Sequence, residues 1–566
     1  MNPEKPIVDF PIKIETFNFE AKSLEVLQKK ENHLWPIVYF IESDKIKEAY
    51  VGESTNAYSR MRNHLDNPER LKLQRMHLIQ SMAFNKSATL DIESRLIKYI
   101  AADGLFELQN GNAGLTVHNY YQQEKYDLTF EQIWSELHKR KLVQNKLEKI
   151  YNSDLFKYSP YKSLTNDQYD SVVKIIKMIN SKVNKPLFII GGAGTGKTVL
   201  GTYLVKMFRS DLSGFEIDNL DDSYKTMLDS IRNIYLKYPD LKIGFVVPQQ
   251  SLRQTLKKVF SYVKGLSGKM VISANEVVKE NYDLVFVDEA HRLKRRCNLS
   301  SGFQYKSFDK ISANLKLDPT TCDELDWIMK CSKRQVLFYD PTQSIKPSDI
   351  KPEKFRRLID NDNKITLTSQ LRVLGGNDYI EYINDILKCT KPKIINNWNK
   401  KYELQLFDNF KEFVAEVKKM NTKHELCRLI SGYSWKWQSK NNPKLYDIEI
   451  DGVKLRWNMT EVDWINSETS IDEVGCIHTC QGYDLNFGGV IFGREIDYNP
   501  STNKIEINKK LYFDTTGKNG IKNDQDLIDY IVNIYKTMMY RGIKGTFVYA
   551  YNKNLRDYFK KYINQF

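Results

Sequence analysis

The chain of 566 residues is poor in the features that would place it in a membrane or in a secretory pathway. No apolar run approaches the roughly 18 residues of a membrane-spanning helix, so we expect no membrane contact. The first twenty residues alternate in charge and contain no apolar stretch typical of a signal peptide. No internal repeat or low-complexity tract is evident, and the length corresponds to three or four globular domains of roughly 150 residues each.

Cysteine is also scarce. The seven cysteines are an odd number, all lie after residue 296, and none forms a Cys-x-x-Cys pair. This usage indicates a reducing, cytoplasmic environment rather than a disulfide framework. Cys476, His478 and Cys480 alternate along the chain, but three such ligands without a fourth, in a segment that looks like a buried strand, disfavour a zinc site.

Charge is distributed unevenly along the chain, whose net charge is +14. Residues 1–150 contain 21 basic and 21 acidic side chains, so the whole excess lies in the remaining residues. A basic C-terminal part fits a polyanionic partner such as nucleic acid. A lysine-rich surface that serves only solubility would give the same count.

A glycine-rich segment after the apolar strand Pro186 to Ile190 is the most informative feature present. It fits the phosphate-binding pattern G-x-x-x-x-G-K-[ST] in full. Its glycines let backbone N–H groups turn inward around phosphate oxygens, and the following helix aims its positive end at the anion. We expect Lys197 to reach the β- and γ-phosphates and Thr198 to hold Mg²⁺. The predicted nucleotide-binding residues of this loop are Gly191, Gly192, Gly194, Thr195, Gly196, Lys197 and Thr198.

Two acidic residues follow a second apolar strand, in the segment Leu284-Val-Phe-Val-Asp-Glu-Ala-His291. Two carboxylates at the end of a buried strand are costly unless an ion or ligand compensates them. We expect Asp288 to hold Mg²⁺ through water and Glu289 to orient the attacking water. An ordinary strand-to-helix turn with a capping aspartate is the alternative.

Short apolar strands that end in polar motifs recur after residue 164, which is typical of a parallel, doubly wound sheet. Ligands bind at the carboxyl ends of such strands. A second set of strands after about residue 365 predicts a second lobe of the same kind. The first set is Leu187–Ile190, Phe245–Val247, Leu284–Val287 and Val336–Tyr339, and the second lies near Leu429, Ile477, Val490 and Phe547.

Further motifs in this half resemble those of superfamily 1 helicases, in the same order. Some of these motifs are weak evidence when taken alone, but together, in the correct order, they are specific. The resemblance covers about residues 164–551. The chain also resembles bacterial helicase-like ATPases of uncharacterised function that are related to the helicase-like part of Schlafen proteins, most clearly in Ser431–Trp437, Glu473–Thr479 and Arg541–Gly545. The motifs are Leu164-Thr-Asn-Asp-Gln168, Val246-Val-Pro-Gln-Gln-Ser-Leu252, Asp340-Pro-Thr-Gln343, Ser369-Gln-Leu-Arg372, His478-Thr-Cys-Gln-Gly-Tyr483 and Tyr540-Arg-Gly-Ile-Lys-Gly545.

The helicase resemblance implies roles for four residues outside the glycine-rich loop. Gln168 would read adenine, Gln343 would sense the γ-phosphate, and Arg372 and Arg541 would reach the phosphates from the second lobe. The sequence departs from the family where Tyr540 replaces the usual threonine before the arginine. No large insertion resembling a strand-separating pin is evident, so ATP hydrolysis is a safer prediction than unwinding.

Two other segments of this half allow two interpretations each. The basic run Arg292-Leu-Lys-Arg-Arg296 could contact nucleic-acid phosphates or form a solvated loop, which we favour slightly. Trp435 and Trp437 lie on one face of a strand and could stack on bases, but core packing is the better expectation.

The N-terminal part predicts a small α/β unit. Strands Ile37–Ile41 and Ala49–Gly52 flank a charged hairpin, and Thr55 or Asn56 caps a helix that carries Arg60 and His64 on one face. A second helix, from about residue 87 to 102, has Glu93 within its apolar stripe. A carboxylate there is costly unless it borders a cleft or meets a cation.

This unit resembles the GIY-YIG nuclease family. The two signature triplets correspond to Val38-Tyr39-Phe40, in which only the tyrosine is kept, and Tyr50-Val51-Gly52. The resemblance covers about residues 36–112. It implies that Glu93 holds Mg²⁺, that Tyr39 and Tyr50 help deprotonate the attacking water, and that Arg60 binds the scissile phosphate. The family's histidine matches His64, and its late asparagine matches Asn110, with Asn112 as an alternative.

We therefore predict an α/β protein with a GIY-YIG-like nuclease domain and two RecA-like parallel-sheet lobes. The predicted boundaries are 1–125 for the nuclease domain, 126–160 for a helical connector, and 161–362 and 363–566 for the two ATPase lobes. Because the nuclease domain is electrically neutral while the motor is basic, we expect the motor to hold the nucleic acid that the nuclease cuts.

The predicted function is an ATP-dependent and Mg²⁺-dependent DNA endonuclease in restriction or anti-phage defence. ATP and Mg²⁺ are the expected cofactors, with Mn²⁺ as an alternative at the nuclease site. DNA is the expected partner, and a homo-oligomer or a defence-system partner protein remains open. The alternatives are an ATP-gated switch whose nuclease-like domain only binds nucleic acid, and a nuclease that acts on RNA or tRNA.

Overall fold

The computed structural model describes most of the chain in two compact units. The described residues are 10–28, 34–110, 122–160, 166–181, 185–209, 222–263, 265–299, 301–341, 343, 347–393, 398–460, 464–480, 483–518, 521 and 523–566. One unit comprises residues 1–180, 198–239 and 255–271, and the other comprises 181–197, 240–254 and 272–566. No helix within the described ranges has the length and apolar character that crossing a membrane requires.

The first unit begins with a five-stranded sheet in the order β1-β4-β2-β3-β5. Strand β2 pairs antiparallel with both neighbours, and β3 pairs parallel with β5. Both predicted strands and both predicted helices are present, with Asn56 as the cap of α2 and Gly104, at φ +72°, ending α3. The elements are β1 (Lys13–Asn18), α1 (Ala21–Gln28), β2 (Ile37–Ser43), β3 (Glu48–Ser54), α2 (Ala57–Leu65), β4 (Arg75–Gln80), α3 (Lys86–Asp103) and β5 (Glu107–Leu108).

The helical connector predicted for residues 126–160 is not one continuous helix. It is broken, because the Asp103 carboxylate accepts the backbone N–H groups of Gln144 and Asn145 at 2.8–3.2 Å and so draws this stretch out of helical geometry. The first of the two pieces buries Trp134 against the N-terminal core. The elements here are α4 (Gln123–Lys139), α5 (Leu147–Asn152), α6 (Asp154–Lys157) and α7 (Asn166–Asn180).

A six-stranded sheet in the order β11-β6-β10-β9-β7-β8 carries the glycine-rich loop. Its pairs β11/β6, β6/β10, β10/β9 and β9/β7 are all parallel, as predicted. The strands are apolar and buried, so the polar residues that follow them meet at one edge of the sheet. The elements are β6 (Leu187–Gly191), α8 (Lys197–Met207), α9 (Asp222–Lys237), β7 (Ile243–Val246), α10 (Gln250–Ser261), β8 (Val271–Ile272), β9 (Tyr282–Val287), α11 (Gly302–Asn314), α12 (Glu324–Lys330), β10 (Ser332–Tyr339), α13 (Pro352–Leu358) and β11 (Lys364–Leu367).

An eight-stranded sheet forms the rest of the second unit, in the order β14-β15-β16-β13-β17-β20-β12-β21. It is parallel except for the β14/β15 hairpin at one edge, which the sequence did not predict. The elements are α14 (Gly376–Leu387), β12 (Glu403–Phe407), α15 (Phe410–His424), β13 (Cys427–Ser431), β14 (Ile448–Ile450), β15 (Val453–Trp457), β16 (Glu473–Cys476), α16 (Ile477–Cys480), β17 (Leu485–Phe492), β18 (Ile496–Asn499), β19 (Lys504–Ile507), α17 (Thr515–Lys518), α18 (Asp524–Met539), β20 (Gly542–Ala550), α19 (Lys553–Phe559) and β21 (Asn564–Gln565).

A buried carboxyl in the six-stranded sheet's helical layer makes a testable contribution to stability. Glu324 is 7% exposed and accepts the backbone N–H of Lys294 at 2.8 Å. Burial, with smaller contributions from Asp323 and Asp349, raises the pKa of Glu324 to about 7. Because this pKa exceeds the unfolded value of about 4.3, Glu324 costs stability progressively as the pH rises from about 4 to about 7.

Glu324→Gln should therefore raise the free energy of unfolding by about 2 kcal/mol at pH 8. The difference should shrink toward zero below pH 5, where the wild-type carboxyl is protonated, and the glutamine oxygen still accepts the N–H of Lys294. Thermal melts of both proteins at pH 5 and pH 8 measure the effect. A variant that melts at a lower temperature than the wild type at pH 8 would contradict this account.

Candidate functional site

The N-terminal unit gathers four of its predicted site residues around one tyrosine hydroxyl. Tyr39 lies in the middle of β2 and is fully buried. Its hydroxyl lies 2.8 Å from His64 Nε2 and accepts a hydrogen bond from Arg60 Nε at 3.0 Å. Tyr50 lies beside them, with its ring centroid 4.9 Å from that of His64. Strand β2 supplies the hydroxyl, and α2 supplies both of its hydrogen-bonding partners.

The protonation of this cluster follows from its surroundings. Burial, and secondly the charges of Arg60 and Arg70, lower the pKa of His64 to about 3, so its imidazole is neutral near pH 7. Burial raises the pKa of Tyr39 well above its ordinary value, so its hydroxyl keeps its proton. Tyr39 therefore accepts from Arg60 as a neutral hydroxyl and shares a second hydrogen bond with the neutral imidazole of His64.

Gly52 owes its place in the second triplet to the Tyr39 ring. A Cβ atom at position 52 would lie 2.1 Å from the Tyr39 hydroxyl oxygen and 2.3 Å from the ring carbon that bears it. Tyr39 and Gly52 are direct partners in the β2/β3 ladder. Only a residue without a side chain leaves room for the hydroxyl to reach His64.

A second arginine belongs to this cluster, although the sequence analysis did not identify it. The Arg70 guanidinium lies 3.8 Å from the centroid of the Tyr50 ring and donates to Gln109 Oε1 at 2.5 Å. Burial lowers the pKa of Arg70, and neighbouring Arg60 adds to this effect. Arg70 begins a short 3₁₀ helix (Arg70–Lys72) that is separate from α2, so the helical spacing of α2 could not have revealed it. The neutral N-terminal unit thus concentrates positive charge beside the two tyrosines.

Glu93 stands near this cluster and has a carboxylate neighbour that the sequence did not suggest. It is half-buried on α3, and burial followed by the Glu53 carboxylate raises the pKa of Glu93 to about 8. Glu53 follows Gly52 on β3, pairs with Lys86 and accepts a hydrogen bond from Thr89 Oγ1 at 3.3 Å. Two carboxylates placed together present hard oxygen donors of the kind that Mg²⁺ takes.

Asn110 is close to these residues but uses its side chain on the backbone. Its Oδ1 accepts the N–H of Val51 at 3.1 Å and its Nδ2 donates to the Val51 carbonyl at 2.8 Å. Both bonds hold β3 in line, so Asn110 positions the strand that carries Tyr50 and Gly52. The alternative residue, Asn112, lies outside the described residues.

In the second unit, the glycine-rich loop has the backbone conformation that its glycines predict. Gly194 and Gly196 adopt φ of +80° and +78°, which side chains disfavour. The Thr195 hydroxyl donates to the Gly192 carbonyl at 3.0 Å and fills the space above Gly191, where a Cβ would lie 2.4 Å from it. Lys197 Nζ donates to the carbonyls of Gly191 and Gly192 at 2.7 Å.

The predicted acidic pair, Asp288 and Glu289, lies at the end of β9, and His291 and Arg292 of the following turn interact with Glu289. Asp288 is fully buried, and its Oδ1 accepts the N–H of Glu289 at 3.0 Å. Glu289 adopts a left-handed φ of +50°, which directs its carboxylate to within 2.8 Å of His291 Nε2. Burial opposes its ionisation, but His291, with Lys197 and Arg292, holds the pKa of Glu289 below its usual range.

A third carboxylate completes this edge of the sheet. Asp340 follows β10, is fully buried and lies 3.7 Å from Lys197 Nζ. Gln343 donates to Asp340 Oδ2 at 2.5 Å, while its own Oε1 is buried without a hydrogen-bond partner among the described residues. Asp340 appeared in a predicted motif without a role of its own. Its position directly after a buried strand is the signal that could have identified it.

The segment before α14 reaches across to the glycine-rich loop. Gln370 Nε2 donates to the Ala193 carbonyl at 2.6 Å, and the Leu371 N–H donates to the Gly194 carbonyl at 2.9 Å. A Cβ at Gly194 would lie 2.0 Å from Gln370 Oε1, so only glycine allows this approach. The eight-stranded lobe therefore touches the phosphate-binding loop through backbone and side chain.

Both predicted arginines lie near this contact. Arg372 is paired with Asp484, and Arg541 is 2% exposed, with Nη1 donating to the Tyr483 carbonyl at 3.3 Å. Burial, and secondly the charge of Arg372, lower the pKa of Arg541, while Asp484 and Glu289 act in the opposite direction. The guanidinium of Arg541 thus lies within electrostatic range of the acid at the end of β9, and its Nε makes no hydrogen bond to a described residue.

The remaining predicted residues are placed as follows. Thr198 occupies the first turn of α8 directly after Lys197, and Gln168 is buried in α7 of the first unit. Leu164, Thr165, Thr342, Gln481 and Gly482 of the helicase-like motifs lie outside the described residues.

The structure shows the surroundings of the basic run Arg292–Arg296 and of Trp435 and Trp437, for which the sequence allowed two interpretations each. The basic run is structural, because Arg292 pairs with Asp349 at 3.1 Å and Arg296 with Asp309 at 2.5 Å. Trp435 is buried in the core of the eight-stranded sheet, as favoured, whereas Trp437 is only half-buried. Within the described ranges, no three His, Cys, Asp or Glu side chains come together as a metal cluster, so Cys476, His478 and Cys480 form none.

Comparison with solved structures gives weak similarities only. The Pif1 helicase of Candida albicans is 10% identical, covering 71% of this chain and 99% of its own, with a TM-score of 0.25. Bacteroides Pif1 bound to ssDNA is 11% identical over 71% and 97%, with a TM-score of 0.26. A DEAD box protein of Methanococcus jannaschii is 11% identical over 75% and 98%, with a TM-score of 0.25. Scores this low do not establish a common fold.

Sequence comparison is more informative. An uncharacterized protein of Saccharomyces cerevisiae is 26% identical over 409 residues, which is 66% of this chain and 83% of that protein. The family model described as Schlafen group 3, DNA/RNA helicase domain matches residues 184–552, more than half of the chain. This match contains the glycine-rich loop, both acidic strand ends and both arginines of the second lobe. The chain therefore belongs to the Schlafen group 3 DNA/RNA helicase domain family.

Proposed function

We propose that this protein is an ATP-driven nucleic-acid motor whose N-terminal unit is a metal-dependent DNA endonuclease of the GIY-YIG type. The observation that carries the nuclease assignment is the Tyr39 hydroxyl, bonded by both Arg60 and His64 within electrostatic range of Glu93. The hydroxyl of this buried tyrosine is held by two partners from α2, a neutral imidazole and a guanidinium, close to where a scissile phosphate would bind. A structural hydrogen bond alone would need only one of these partners.

In the proposed cleavage reaction, Tyr39 and Tyr50 help to transfer the proton of the attacking water to solvent, and His64 and Arg60 hold the Tyr39 hydroxyl in place for this step. Arg60 donates to the same hydroxyl, which limits the charge that develops on it, and its other guanidinium nitrogens bind the scissile phosphate. Arg70, stacked on Tyr50, adds a second cation for the spreading phosphate charge. Asn110 keeps the strand with Tyr50 in register.

The carboxylates of Glu93 and Glu53 fit a divalent cation by the chemistry of their oxygen donors. Mg²⁺ bound there would act as a Lewis acid on the phosphoryl oxygen, and Mn²⁺, which takes the same ligands, is the alternative ion. Glu53 is thus a proposed addition to the set that the sequence predicted.

In the proposed motor, ATP binds the glycine-rich loop and Gln168 reads its adenine. Lys197 exchanges its bonds to the loop carbonyls for bonds to the β- and γ-phosphates, and Glu289 orients the attacking water. Gln343 senses the γ-phosphate, while Arg372 and Arg541 stabilise the charge that develops on it. The hard oxygens of Thr198 and Asp288 fit Mg²⁺, which would neutralise phosphate charge.

We further propose a division of labour along the chain. Residues 1–125 would cut, 126–160 would connect, and the RecA-like lobes 161–362 and 363–566 would hold and move nucleic acid. The excess of basic charge after residue 150 supports this division. Restriction of foreign DNA is the biological setting that we propose for it.

The decisive experiment measures cleavage of plasmid DNA, modified phage DNA and RNA with Mg²⁺, with and without ATP. Glu93→Ala should abolish cleavage and leave ATP hydrolysis intact, while Lys197→Ala should abolish ATP hydrolysis and the ATP-dependent part of cleavage. If Glu93→Ala cuts as well as the parent, the nuclease assignment is wrong. If Lys197→Ala cuts like the parent in the presence of ATP, the coupling is wrong. ATP hydrolysis that rises with DNA without any cleavage would instead indicate a nucleic-acid-binding switch.

RNA is the second candidate substrate, because the matching family model is described for both DNA and RNA helicases. Cleavage of RNA or tRNA in preference to every DNA would favour it.

A further inference from the structure

A basic and aromatic loop in the eight-stranded lobe has no part in the proposed motor or nuclease. We call residues 436–446 the aromatic loop; they follow β13 and contain three lysines, one tryptophan, one tyrosine and no acidic residue. Two adjacent apolar side chains of this loop, Leu445 and Tyr446, are 43% and 44% exposed. The loop therefore combines exposed apolar surface with positive charge.

A buried aspartate gives the aromatic loop its shape. Asp447 Oδ1 accepts the N–H groups of Gln438 at 2.6 Å and Ser439 at 2.9 Å, and Oδ2 accepts the N–H of Trp457 at 2.7 Å. Because a carboxylate with several N–H donors is a strong anchor, the loop is tied to the adjacent β15. The ordering cost of binding a ligand is thereby reduced.

Both aromatic rings of the aromatic loop carry a cationic group over them, one from the loop itself and one from β15. Lys440 Nζ is 4.6 Å from the centroid of the Trp437 ring, and the Arg456 guanidinium is 4.7 Å from that of Tyr446. Arg456 is itself held by a hydrogen bond to the Pro443 carbonyl at 2.8 Å. Each pair presents an aromatic ring next to a positive charge.

The position of the loop relative to the sheet also points to a ligand distinct from the nucleotide. The loop follows the carboxyl end of β13, whereas Asp484 and Arg541 precede the amino ends of the parallel strands β17 and β20. The aromatic loop and the site of Asp484 and Arg541 therefore lie at opposite ends of these parallel strands. At the carboxyl edge, Tyr433 lies 5.9 Å from His478 between ring centroids, and the His478 carbonyl accepts Gln249 Nε2 of the first lobe at 3.5 Å.

We propose that the aromatic loop binds single-stranded nucleic acid, with bases stacked on Trp437 and Tyr446 and phosphates contacted by Lys436, Lys440 and Lys444. Stacking on a side chain requires bases that are not already paired and stacked, so the loop should prefer single strands to duplex. Trp437 with Lys440 matches one base and its phosphate, and Tyr446 with the nearby Lys444 matches a second. This inference rests on the proposed nucleic-acid motor and is independent of cleavage by the N-terminal unit.

The test measures fluorescence anisotropy with labelled single-stranded DNA, single-stranded RNA and duplex DNA of about 20 nucleotides, using the full chain in the Glu93→Ala background so that probes stay intact. Trp437→Ala and Tyr446→Ala should each weaken single-strand binding about tenfold, while Trp437→Phe and Tyr446→Phe should stay within about threefold of the parent. Lys440→Ala and Lys444→Ala should each lower the slope of log affinity against log salt by about 0.7. Lys423→Ala, an exposed lysine at the far end of α15, should bind like the parent.

The outcomes separate this inference from the proposed function. If the parent binds single strands and both alanine variants bind equally well, the aromatic loop is not the site, although the motor proposal stands. If the parent binds no probe with or without ATP, both the loop assignment and the nucleic-acid motor fail. Loss of binding in the alanine variants but not in the phenylalanine variants, at unchanged melting temperature, supports the loop. Tighter binding of RNA than DNA, or the reverse, identifies which nucleic acid it takes.

Discussion

Replacing Arg541 with alanine should lower the rate of ATP hydrolysis about a thousandfold while nucleotide affinity changes little. Arg541 is buried, its Nε has no described hydrogen-bond partner, and it lies within electrostatic range of Glu289 on the other lobe. A buried guanidinium without all of its hydrogen bonds lowers the stability of the fold. Its presence at position 541 is explained if it binds the negative charge that develops on the phosphate during ATP hydrolysis. Steady-state ATP hydrolysis together with binding of a fluorescent nucleotide measures the two effects.

Arg428 provides a matched control, since it is a buried arginine of the same lobe with a structural environment. Its guanidinium donates to the Ile465 carbonyl at 2.6 and 3.1 Å and to Asn421 at 2.8 Å. Arg428→Ala should therefore lower the melting temperature and leave turnover by the folded protein unchanged, whereas Arg541→Met should melt no lower than the wild type. Normal turnover in Arg541→Ala would remove this residue from the proposed ATPase site.

Tyr39→Phe should reduce nucleic-acid cleavage by roughly 10²- to 10⁴-fold, because it removes the hydroxyl that we propose helps to deprotonate the attacking water. The ring still fills its place in the sheet, so the fold should be retained. The lost oxygen leaves His64 Nε2 and Arg60 Nε without their shared partner, at a cost of about 1–3 kcal/mol in unfolding free energy. Single-turnover cleavage assays and thermal melts of the same preparation measure both quantities.

Tyr126→Phe is the corresponding control for Tyr39→Phe. Tyr126 is also buried in the N-terminal unit, but its hydroxyl donates to the Ala83 carbonyl, away from the proposed site. It should lose a similar amount of stability and keep its cleavage rate. Equal rates for Tyr39→Phe and Tyr126→Phe would show that the Tyr39 hydroxyl bond to His64 is only structural.

Much of the helicase-like region could be predicted from the sequence alone. A glycine-rich loop after an apolar strand and an acidic pair after another depend on local sequence, because each strand end and loop is built from consecutive residues. The parallel sheets follow for the same reason, since apolar strands alternate with helices. The match over residues 184–552 confirms the relationship to the Schlafen helicase-like region.

Other parts of the candidate sites depend on contacts between distant segments. Arg70 stacks on Tyr50 across twenty residues, and Glu53 meets Glu93 across forty, so no local pattern marks either residue. Asp103 interrupts the predicted helical connector because its carboxylate accepts backbone N–H groups some forty residues away. The helix prediction considered only the local pattern and missed this competition.

The sequence by itself determined that this protein has a phosphate-binding loop, strand-end acids and two arginines in the order of a helicase-like motor. It also determined that Arg60 and His64 lie on one face of α2. Only the tertiary structure decided that Tyr39 lies between Arg60 and His64, that Gln370 touches the glycine-rich loop, and that Trp435 is buried while Trp437 lies at the edge of the core. The physical reason is that periodicity and motif spacing act within one element, whereas burial and hydrogen bonding depend on which elements are packed together.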